Sequence, residues 1–367
     1  MIASGDQLIC YYDSRGQWLD RASVSGLDRT AISELAYLLP SEEQVLTTFD
    51  EISAALASFD VEARLIEAND FGGISSAIEG TGSDSIFLNM TDGFYPVTAS
   101  YLPALAAMTR KRYFGNSAAL QLSIQNKFVQ YLMCRRLGIP IPNTALYDGN
   151  RYLGGDDRRD KSYRYFVKPF DLANSIGIFA DAVCVSLEEA ISVAERIRSH
   201  YGSKSLIQEY ISGESVRVNY VAVNRKGPIH EALGIHLMRG PPDDEQDFTD
   251  YETHLREFEA ADAAYERMAT ATSLAPPNSA PHAAVCGIRS DTKKLVECFG
   301  LRDFFSMDYK ISSRGERYFI ELNTLPFARN AGLRAYCKEA FGLTVGGALG
   351  SAILSMLSEP RYPQREW

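Results

Sequence analysis

Two acidic residues and one asparagine lie together on what the sequence predicts to be a β-hairpin. Residues 301–327 alternate apolar and polar side chains on both sides of a Ser-Ser-Arg-Gly turn, which is the pattern of two antiparallel strands. If the turn has two central residues, Asp308 lies opposite Glu321 and Ser306 lies opposite Asn323. Because side chains alternate between the two faces of a strand, these four side chains share one face.

The cluster of Asp308, Glu321 and Asn323 has the chemistry of a metal site. Opposed carboxylates repel each other, so they need a shared proton, a cation or open solvent. Two carboxylates and an amide oxygen form an all-oxygen ligand set that suits Mg²⁺ or Mn²⁺, usually completed by phosphates and water. An exposed acidic hairpin without a ligand is the alternative, and the pattern alone does not separate the two.

Two lysines are candidates for binding an anion. Lys168 ends the apolar strand YRYFVKP, so its ammonium is expected to be partly buried and to require a negative partner. The small residues of the next loop, DLANSIG, would allow backbone N–H groups to approach a phosphate. Lys127 lies on a helix predicted over 116–137, one residue from its apolar stripe, and on pattern alone it extends to solvent. The stripe consists of Leu120, Ile124, Phe128 and Leu132.

The amino-terminal part of the chain alternates between predicted strands and helices. This alternation indicates a mainly parallel sheet covered by helices, with ligands at the loops that follow the strands. Asp92 and Gly93 occupy such a loop, where they either contact a substrate or form a turn. The predicted strands are 8–12, 61–66 and 85–89, and the predicted helix is 42–59.

The remaining elements frame the hairpin. Segment 240–281 is polar and Pro-rich, with a charged helix from 251 to about 271, and is predicted to be a mobile flap or insertion. Arg329 and Arg334 follow the hairpin and either hold a substrate carboxylate by forked hydrogen bonds or are solvated surface charges. The other predicted elements are helices 187–201, 285–300 and 345–357, strand 205–210, and strands 216–223 and 229–237 joined by a tight turn at 224–227.

Composition excludes several classes of protein. The 367 residues are 46% hydrophobic, which is enough for two or three globular domains. A formal charge of −10, with no basic stripe, argues against nucleic acid as a partner. The six cysteines include no close-spaced pair, so we expect reduced thiols. With no leader pattern and no apolar run long enough to span a bilayer, we expect a cytoplasmic protein with no membrane partner.

Four motifs, taken in order, resemble the ATP-grasp superfamily and, within it, the D-alanine–D-alanine ligase-like branch. They are FGNSAALQLSIQNKF with LGIPIP, YFVKPFDLANSIGI, LIQEYISGESVRV, and MDYKI through YFIELNTLP. The resemblance covers most of the chain. It implies an α/β (α+β) fold in which two sheets clamp ATP: a Rossmann-like domain at 1–120, a central subdomain at 121–213, and a carboxyl-terminal subdomain at 214–367 that contains the flap.

The resemblance also implies roles for individual residues. Lys127 and Lys168 would hold the nucleotide phosphates, and the loop containing Ser175 would cover them. The metal ligands would be Asp308, Glu321 and Asn323. The segment that meets adenine would be Gln208, Glu209, Tyr210 and Ile211, with Glu214 and Ser215 near the ribose. Ser306, Arg329 and His254 would lie near the reacting groups.

The implied reaction is ATP-dependent formation of an amide. A substrate carboxylate would attack the γ-phosphate to give an acyl phosphate, which an amine would then attack, with Mg²⁺ or Mn²⁺ and the lysines offsetting charge. No nucleophilic side chain is required. Two alternatives remain: a kinase that stops at phosphoryl transfer, and a nucleotide-binding protein without catalysis. The partners would be small-molecule carboxylates and amines, and a homodimer is the expected assembly.

Several positions depart from the pattern of the true ligases. Ser306 stands where the family has an arginine, and Ser215 stands where it has a ribose-binding glutamate, with Glu214 one place early. Thr253 and His254 replace a flap lysine, and a histidine there would make activity sensitive to pH. Most of these departures lie where substrate would bind, whereas the nucleotide and metal positions are largely kept. We therefore expect a ligase that joins a different acid to an amino acid in specialised metabolism.

Overall fold

The computed structural model describes residues 7–16, 19, 29–36, 40–67, 71–82, 84–91, 96–156, 163–225, 227–239, 248–250, 252–253, 270–274, 282–324 and 330–359. Within these residues the chain forms three β-sheets, each built from a separate stretch of sequence. The strands are β1 (Gln7–Tyr12), β2 (Glu62–Glu67), β3 (Ile86–Asn89), β4 (Arg112–Tyr113), β5 (Thr144–Tyr147), β6 (Tyr152–Gly155), β7 (Tyr165–Pro169), β8 (Val183–Cys184), β9 (Ser205–Glu209), β10 (Gly213–Val221), β11 (Gly234–Arg239), β12 (Thr270–Ser273), β13 (Phe304–Ser312) and β14 (Arg317–Asn323).

Helices cover the sheets. No single helix in the described ranges is long and apolar enough to cross a membrane, and the helices Ala331–Phe341 and Val345–Ser358 reach that length and apolarity only as a pair bent by 59°. The helices are α1 (Arg29–Leu35), α2 (Glu42–Ala57), α3 (Phe71–Glu79), α4 (Pro96–Met108), α5 (Ala118–Ile124), α6 (Lys127–Leu137), α7 (Leu187–Tyr201), α8 (His282–Phe299), α9 (Ala331–Phe341) and α10 (Val345–Ser358).

The first sheet is parallel and has the strand order β2-β1-β3-β4. This confirms the parallel sheet expected from the alternation of strands and helices. Helices α2 and α10 pack on one face, and α3 and α4 pack on the other. Glu51 of α2 accepts a hydrogen bond from the backbone N–H of Gly346 in α10 at 3.0 Å. The far end of the described chain therefore completes the core of the amino-terminal sheet.

The second sheet is antiparallel, with the order β6-β5-β9-β7-β8. One face packs on α7 and, from much earlier in the chain, on α1. Glu34 of α1 accepts a hydrogen bond from the Tyr201 hydroxyl at 2.6 Å and lies 2.9 Å from Nε2 of His200. The opposite face carries Lys168 and Gln208, because alternate residues of a strand point to opposite sides.

The third sheet is also antiparallel and has the order β12-β11-β10-β13-β14. Strands β10 and β13 alternate polar and apolar side chains over most of their length, so one face is largely apolar and packs on α5 and α8. The other face is polar, and α9 lies on it over β10, β11 and β12. Gly332 permits this approach, because a Cβ there would lie 3.1 Å from Cγ of Arg217. The polar side chains of β13 and β14 lie beside this helix.

The predicted helix over 116–137 is wrong, since two helices occupy this segment. Asn126 begins the second one, and its side-chain oxygen accepts hydrogen bonds from the backbone N–H groups of Phe128 and Val129. The apolar stripe therefore does not continue across the break. Leu120 and Ile124 are buried in α5, whereas Leu132 is 50% exposed in α6.

Two other predicted elements differ from the structure. The strand expected from residue 229 begins at Gly234, because Ile229–Glu231 forms a turn of 3₁₀ helix before it. Within the predicted flap, Thr270–Ser273 forms the edge strand of the third sheet rather than the end of a helix. Most of segment 240–281 lies outside the described residues.

Gln130 fixes the position of the hairpin, and replacing it with leucine should destabilise the protein by about 2–3 kcal/mol. Its buried amide donates to the carbonyl oxygen of Leu322 at 3.2 Å and accepts from the Leu322 N–H at 2.8 Å. Leucine would leave both main-chain groups buried without a partner. Chemical denaturation would measure the loss, with Arg136→Gln on the exposed face of α6 as a control. Equal free energies of unfolding for Gln130→Leu and the natural chain would contradict this role.

Candidate active site

The register of the β13–β14 hairpin is confirmed at the positions that matter for chemistry. Asp308 pairs with Glu321 and Ser306 pairs with Asn323. The two-residue turn is wrong, because Ser312 donates its N–H to the carbonyl of residue 316 at 2.8 Å and leaves three residues in the loop. A bulge between Asp308 and the next residue of β13 restores the predicted pairing.

The bulge also explains how β14 serves both the core and the site. Without it, Phe319 and Glu321 would lie on the same face, because side chains alternate with a period of two. The extra residue, Ile320, turns Phe319 into the core, where its side chain is 1% exposed. Glu321 keeps its place opposite Asp308. An apolar residue two positions before the carboxylate is therefore compatible with a polar site.

The predicted ligand set lies partly open to solvent. Asp308 and Glu321 are 26% and 21% exposed, and Asn323 is half-buried. Burial raises the pKa of Asp308, and Glu321 raises it further, whereas Arg217 lowers it. In the part of the chain that the structure describes, no three His, Cys, Asp or Glu side chains are placed to hold a metal ion. Two carboxylates and one amide oxygen still fit Mg²⁺, which binds few protein ligands and keeps phosphates and water.

Lys127 faces this cluster rather than solvent, so the solvent-exposed alternative is wrong for it. Its side chain is 8% exposed, and its Nζ lies 3.2 Å from Oε1 of Glu321. The same ammonium donates to the carbonyl oxygen of Leu172. The break at Asn126 produces this placement, because it makes Lys127 the first residue of α6. Its backbone N–H donates to the carbonyl of Phe170 at 2.8 Å.

Lys168 approaches the same cluster from the second sheet. Its side chain is 3% exposed, and burial lowers its pKa to about 8. Glu321 and Asp308 oppose this shift, while Lys127 adds to it. Glu321 and Asp308 belong to the third sheet and Lys127 belongs to α6, so the second and third sheets face each other here. A buried ammonium with this surrounding requires an anion, as the sequence predicted.

Nucleotide affinity in the absence of metal is expected to fall as pH rises through about 8, the pKa of Lys168. Above that value the amine of Lys168 is neutral in the free protein. The amine must therefore take up a proton before it can bind phosphate as an ammonium. Calorimetric titration with ADP in two buffers of different ionisation enthalpy would measure this uptake on both sides of that pH. Uptake that does not grow with pH, or that persists in Lys168→Met, would contradict the assignment.

The same pKa shift affects stability in the opposite direction. Between about 8 and the ordinary value of 10.5, the unfolded chain binds the proton that folded Lys168 has released. The contribution of this lysine to the free energy of unfolding therefore increases as pH rises through that window, so the fold becomes more stable. This lysine is held in the fold at a cost, which is typical of a group retained for binding.

The loop after β7 lies next to the site and has an uncommon backbone conformation. Asn174 and Ser175 have φ values of 52° and 56°, in the left-handed region that residues other than glycine seldom adopt. Gly177 follows with φ 76°, and a Cβ there would lie 2.5 Å from Cγ of Pro169. Asp171 begins the loop, and its Oδ1 accepts a hydrogen bond from the Ser203 hydroxyl at 2.5 Å.

This loop and the hairpin together line a small pocket that opens to solvent. The members that matter for chemistry are polar and converge from three elements. They are Lys127, Asp171, Glu321, Asn323 and Thr324. Burial raises the pKa of Asp171, with the Ser203 hydrogen bond and Lys127 opposing it. A pocket with both cations and carboxylates suits a phosphate that carries a metal ion.

The predicted adenine segment ends β9, and two of its side chains already have protein partners. Gln208 is buried and donates to the Thr144 hydroxyl at 2.7 Å. Glu209 accepts from the Asn143 amide at 2.7 Å. Tyr210 stacks under a guanidinium, and both Tyr210 and Ile211 are half-buried at the edge of the sheet. Their contact with adenine stays a prediction.

The two residues expected near the ribose are split between the faces of β10. Ser215 pairs with Lys310 and shares the face of Asp308, and Ser306 shares that face as well. Glu214 pairs with Ile311, is exposed, and points to the opposite side. Glu214 and Ser215 therefore do not meet one ligand from the same side.

Other predicted residues lie elsewhere. Arg334 is half-buried in α9, where it lies outside the pocket lining described above. The remaining candidates lie outside the described residues: Asp92, Gly93, His254 and Arg329. Their roles stay predictions.

Sequence reasoning missed two charged residues of this site. Asp171 lies in the loop that was predicted only to present backbone N–H groups. Arg217 lies on β10 opposite Asp308 and forms an ion pair with it. A signal for Arg217 was present, because serine, arginine and asparagine alternate with valines along the strand. Polar residues at every second position of a central strand indicate a face that turns toward a site.

More than half of the chain matches a known family. Residues 135–345 match the family described as D-ala D-ala ligase C-terminus. The vancomycin C-type resistance protein VanC1 of Enterococcus gallinarum is 25% identical over 219 residues, which are 58% of this chain and 56% of that protein. The chain thus matches just over half of the length of this relative.

Solved structures resemble the whole chain. A D-alanine–D-alanine ligase from Bacillus anthracis complexed with ATP has a TM-score of 0.63 and 15% identity, covering 96% of this chain and 97% of that one. The VanG D-Ala:D-Ser ligase of Enterococcus faecalis has a TM-score of 0.59 and 12% identity, covering 96% and 99%. These likenesses show the fold. Together with the match over more than half of the sequence, they show that the chain belongs to the D-ala D-ala ligase C-terminus family and has the ATP-grasp fold.

Proposed function

We propose that this chain is an ATP-dependent, ADP-forming ligase that makes a C–N bond between a small carboxylic acid and an amine. One observation carries the proposal. The oxygen set of Asp308, Glu321 and Asn323 lies beside Lys127, and its two carboxylates interact electrostatically with buried Lys168. Carboxylates for a divalent cation next to two lysines suit a nucleoside triphosphate, whose phosphates bind both.

In this proposal the second and third sheets hold ATP between their polar faces. Residues 121–213 and 214–367 form the two subdomains that grasp the nucleotide, and residues 1–120 lie on the substrate side. Lys127 and Lys168 offset the charge of the phosphates, and the loop containing Ser175 covers them. Mg²⁺ or Mn²⁺, when bound, would neutralise charge on the transferred phosphoryl group.

The chain positions two successive bond exchanges. The carboxylate oxygen of the acid bonds to the γ-phosphorus as the bond to ADP breaks. The amine nitrogen then bonds to the acyl carbon and loses a proton, and phosphate leaves with the electron pair of the C–O bond. Positioning and charge stabilisation are sufficient, so no side chain needs to act as a nucleophile.

The substrates are proposed to differ from two D-alanines. The similar solved structures include a D-alanine–D-alanine ligase and a D-Ala:D-Ser ligase. In this chain Ser306 pairs with Asn219 and Asn323 on the neighbouring strands. Its short hydroxyl therefore lies on the same face as Asp308 and Glu321, next to the two carboxylates. We infer that the site joins an amino acid to another amino acid or small acid, as in the biosynthesis of specialised metabolites.

Release of ADP and phosphate from Mg-ATP, measured against a panel of amino acids, small acids and amines, tests the proposal. Release that requires two substrates and yields a condensed product by mass spectrometry would support a ligase. A stable phosphorylated product would overturn it in favour of a kinase. Tight nucleotide binding with no turnover on the panel would favour a binding protein without catalysis.

A further inference from the structure

Arg217 lies in a row of ionisable side chains that crosses four strands of the third sheet. It pairs with His236 of β11 on one side and with Asp308 of β13 on the other, and Asp308 pairs with Glu321 of β14. Residues paired directly across antiparallel strands share a face, so the four side chains point to the same side. We call these four residues the charged row.

The stem of Arg217 is held, while its head reaches the site. The first turn of α9 packs on its methylenes, since a Cβ at Gly332 would lie 3.1 Å from Cγ. His236 already has a partner on the far side, with Nε2 lying 3.1 Å from Oε2 of Glu339. The guanidinium is therefore directed to Asp308, with which it forms an ion pair, and the side chain is 25% exposed.

This ion pair competes with metal binding. Asp308 is one of two carboxylates in the oxygen set, and a divalent cation on its oxygens would repel a guanidinium at the same place. A partly buried guanidinium that loses its anion must find another within reach. The stem of the side chain packs against the first turn of α9, which keeps the guanidinium on this face of the sheet. It needs an anion that arrives with the substrates.

We infer that Arg217 exchanges partners when the site is loaded, releasing Asp308 to the metal and binding the carboxyl group of the acid substrate. This inference rests on the proposed function. A guanidinium presents two parallel N–H donors that match the two oxygens of a carboxylate. Its position next to Asp308 places these donors beside the metal, where the acyl phosphate forms.

The same donors then serve the second bond exchange. As the amine nitrogen bonds to the acyl carbon, the electron pair of the C=O bond moves to oxygen and makes it an oxyanion. The nitrogen then gives up its proton. When the intermediate collapses, the electron pair returns to re-form the C=O bond, and the bond between the acyl carbon and the phosphate oxygen breaks. Phosphate leaves with the electron pair of that bond. The guanidinium stabilises the oxyanion, so Arg217 is a catalytic residue that touches the reacting group.

The variant Arg217→Met tests the exchange, because two readouts should move in opposite directions. Methionine keeps the packing under α9 but removes the charge. Affinity for Mn²⁺, measured by calorimetry on the protein with ADP, should rise about tenfold because Asp308 loses its competitor. Turnover at saturating substrates should fall by about 10²-fold or more. Guanidinium ion added at millimolar concentration should restore part of the turnover in Arg217→Ala, and urea should not.

Arg314→Met, in the exposed turn of the same hairpin, is the matched control and should change neither readout. Lower Mn²⁺ affinity together with lower turnover in Arg217→Met would overturn the inference in favour of a structural role. Unchanged turnover would also overturn it. If the natural chain shows no turnover with any substrate pair, the proposed function fails, and Mn²⁺ affinity alone then decides the exchange: a rise supports it, and no rise overturns it.

Discussion

Replacing Glu321 with glutamine is expected to lower turnover by about 10³-fold, since metal-assisted stabilisation of the transferring phosphoryl group is worth several kcal/mol. Glu321 contributes to two interactions, the oxygen set opposite Asp308 and the ion pair with Lys127 at 3.2 Å. Glutamine keeps the shape and one oxygen but removes the charge. The rate of ADP release at saturating substrates would measure the loss.

The matched control is Glu316→Gln, at the exposed end of the same hairpin. It removes one carboxylate of the same type at a distance from the oxygen set, and it should leave turnover within about twofold because exposed charges interact little. Circular dichroism and the melting temperature should not separate the two variants by much. If Glu321→Gln turned over like the control, the metal assignment on this hairpin would be lost.

Replacing Lys168 with methionine should weaken ATP binding by about 10²-fold, because a hydrogen bond to a charged group contributes about 1.5–3 kcal/mol. The variant should nevertheless be as stable as the natural chain or more stable, since burial disfavours the ammonium and lowers its pKa to about 8. Calorimetric titration with ATP and a thermal melt would measure the two effects.

Lys293→Met, on the exposed side of α8, is the control for Lys168→Met and should change neither affinity nor melting temperature. A loss of affinity without a loss of stability is the signature of a lysine kept for its ligand. If Lys168→Met both unfolded more easily and bound ATP normally, the lysine would be structural instead.

The hairpin could be predicted from the sequence because its information is local. The alternation of Met307, Asp308 and Tyr309 specifies which face each side chain takes, and the cross-strand pairing follows from a nearby turn. The loop length was wrong by one residue, and a bulge compensated for it. The longer loop shifts the pairing by one residue and the bulge shifts it back, so that Phe319 packs in the core while Glu321 stays opposite Asp308.

Lys127 could not be placed by its helical pattern. Its side chain enters the site because the helix restarts at Asn126, and an asparagine within an apolar stripe does not by itself indicate a break. Arg217 required even more distant information. Its importance depends on which strand pairs with β10, and the paired residues Arg217 and Asp308 are 91 residues apart in sequence (308 − 217). Pairing between strands so far apart is not contained in the periodicity of either strand.

The packing of α10 on the first sheet has a consequence for the synthesis of this protein. Glu51 and Gly346, which bond across that interface, are 295 residues apart, so translation at about 5–20 residues per second separates them by roughly 15–60 s. During that interval one apolar face of the nascent sheet has only α2 to cover it and lacks α10, although all strands of the sheet have already left the ribosome. Chaperones that bind exposed apolar surface therefore have a long time in which to act on the chain, and a pause in translation ahead of α10 would increase aggregation.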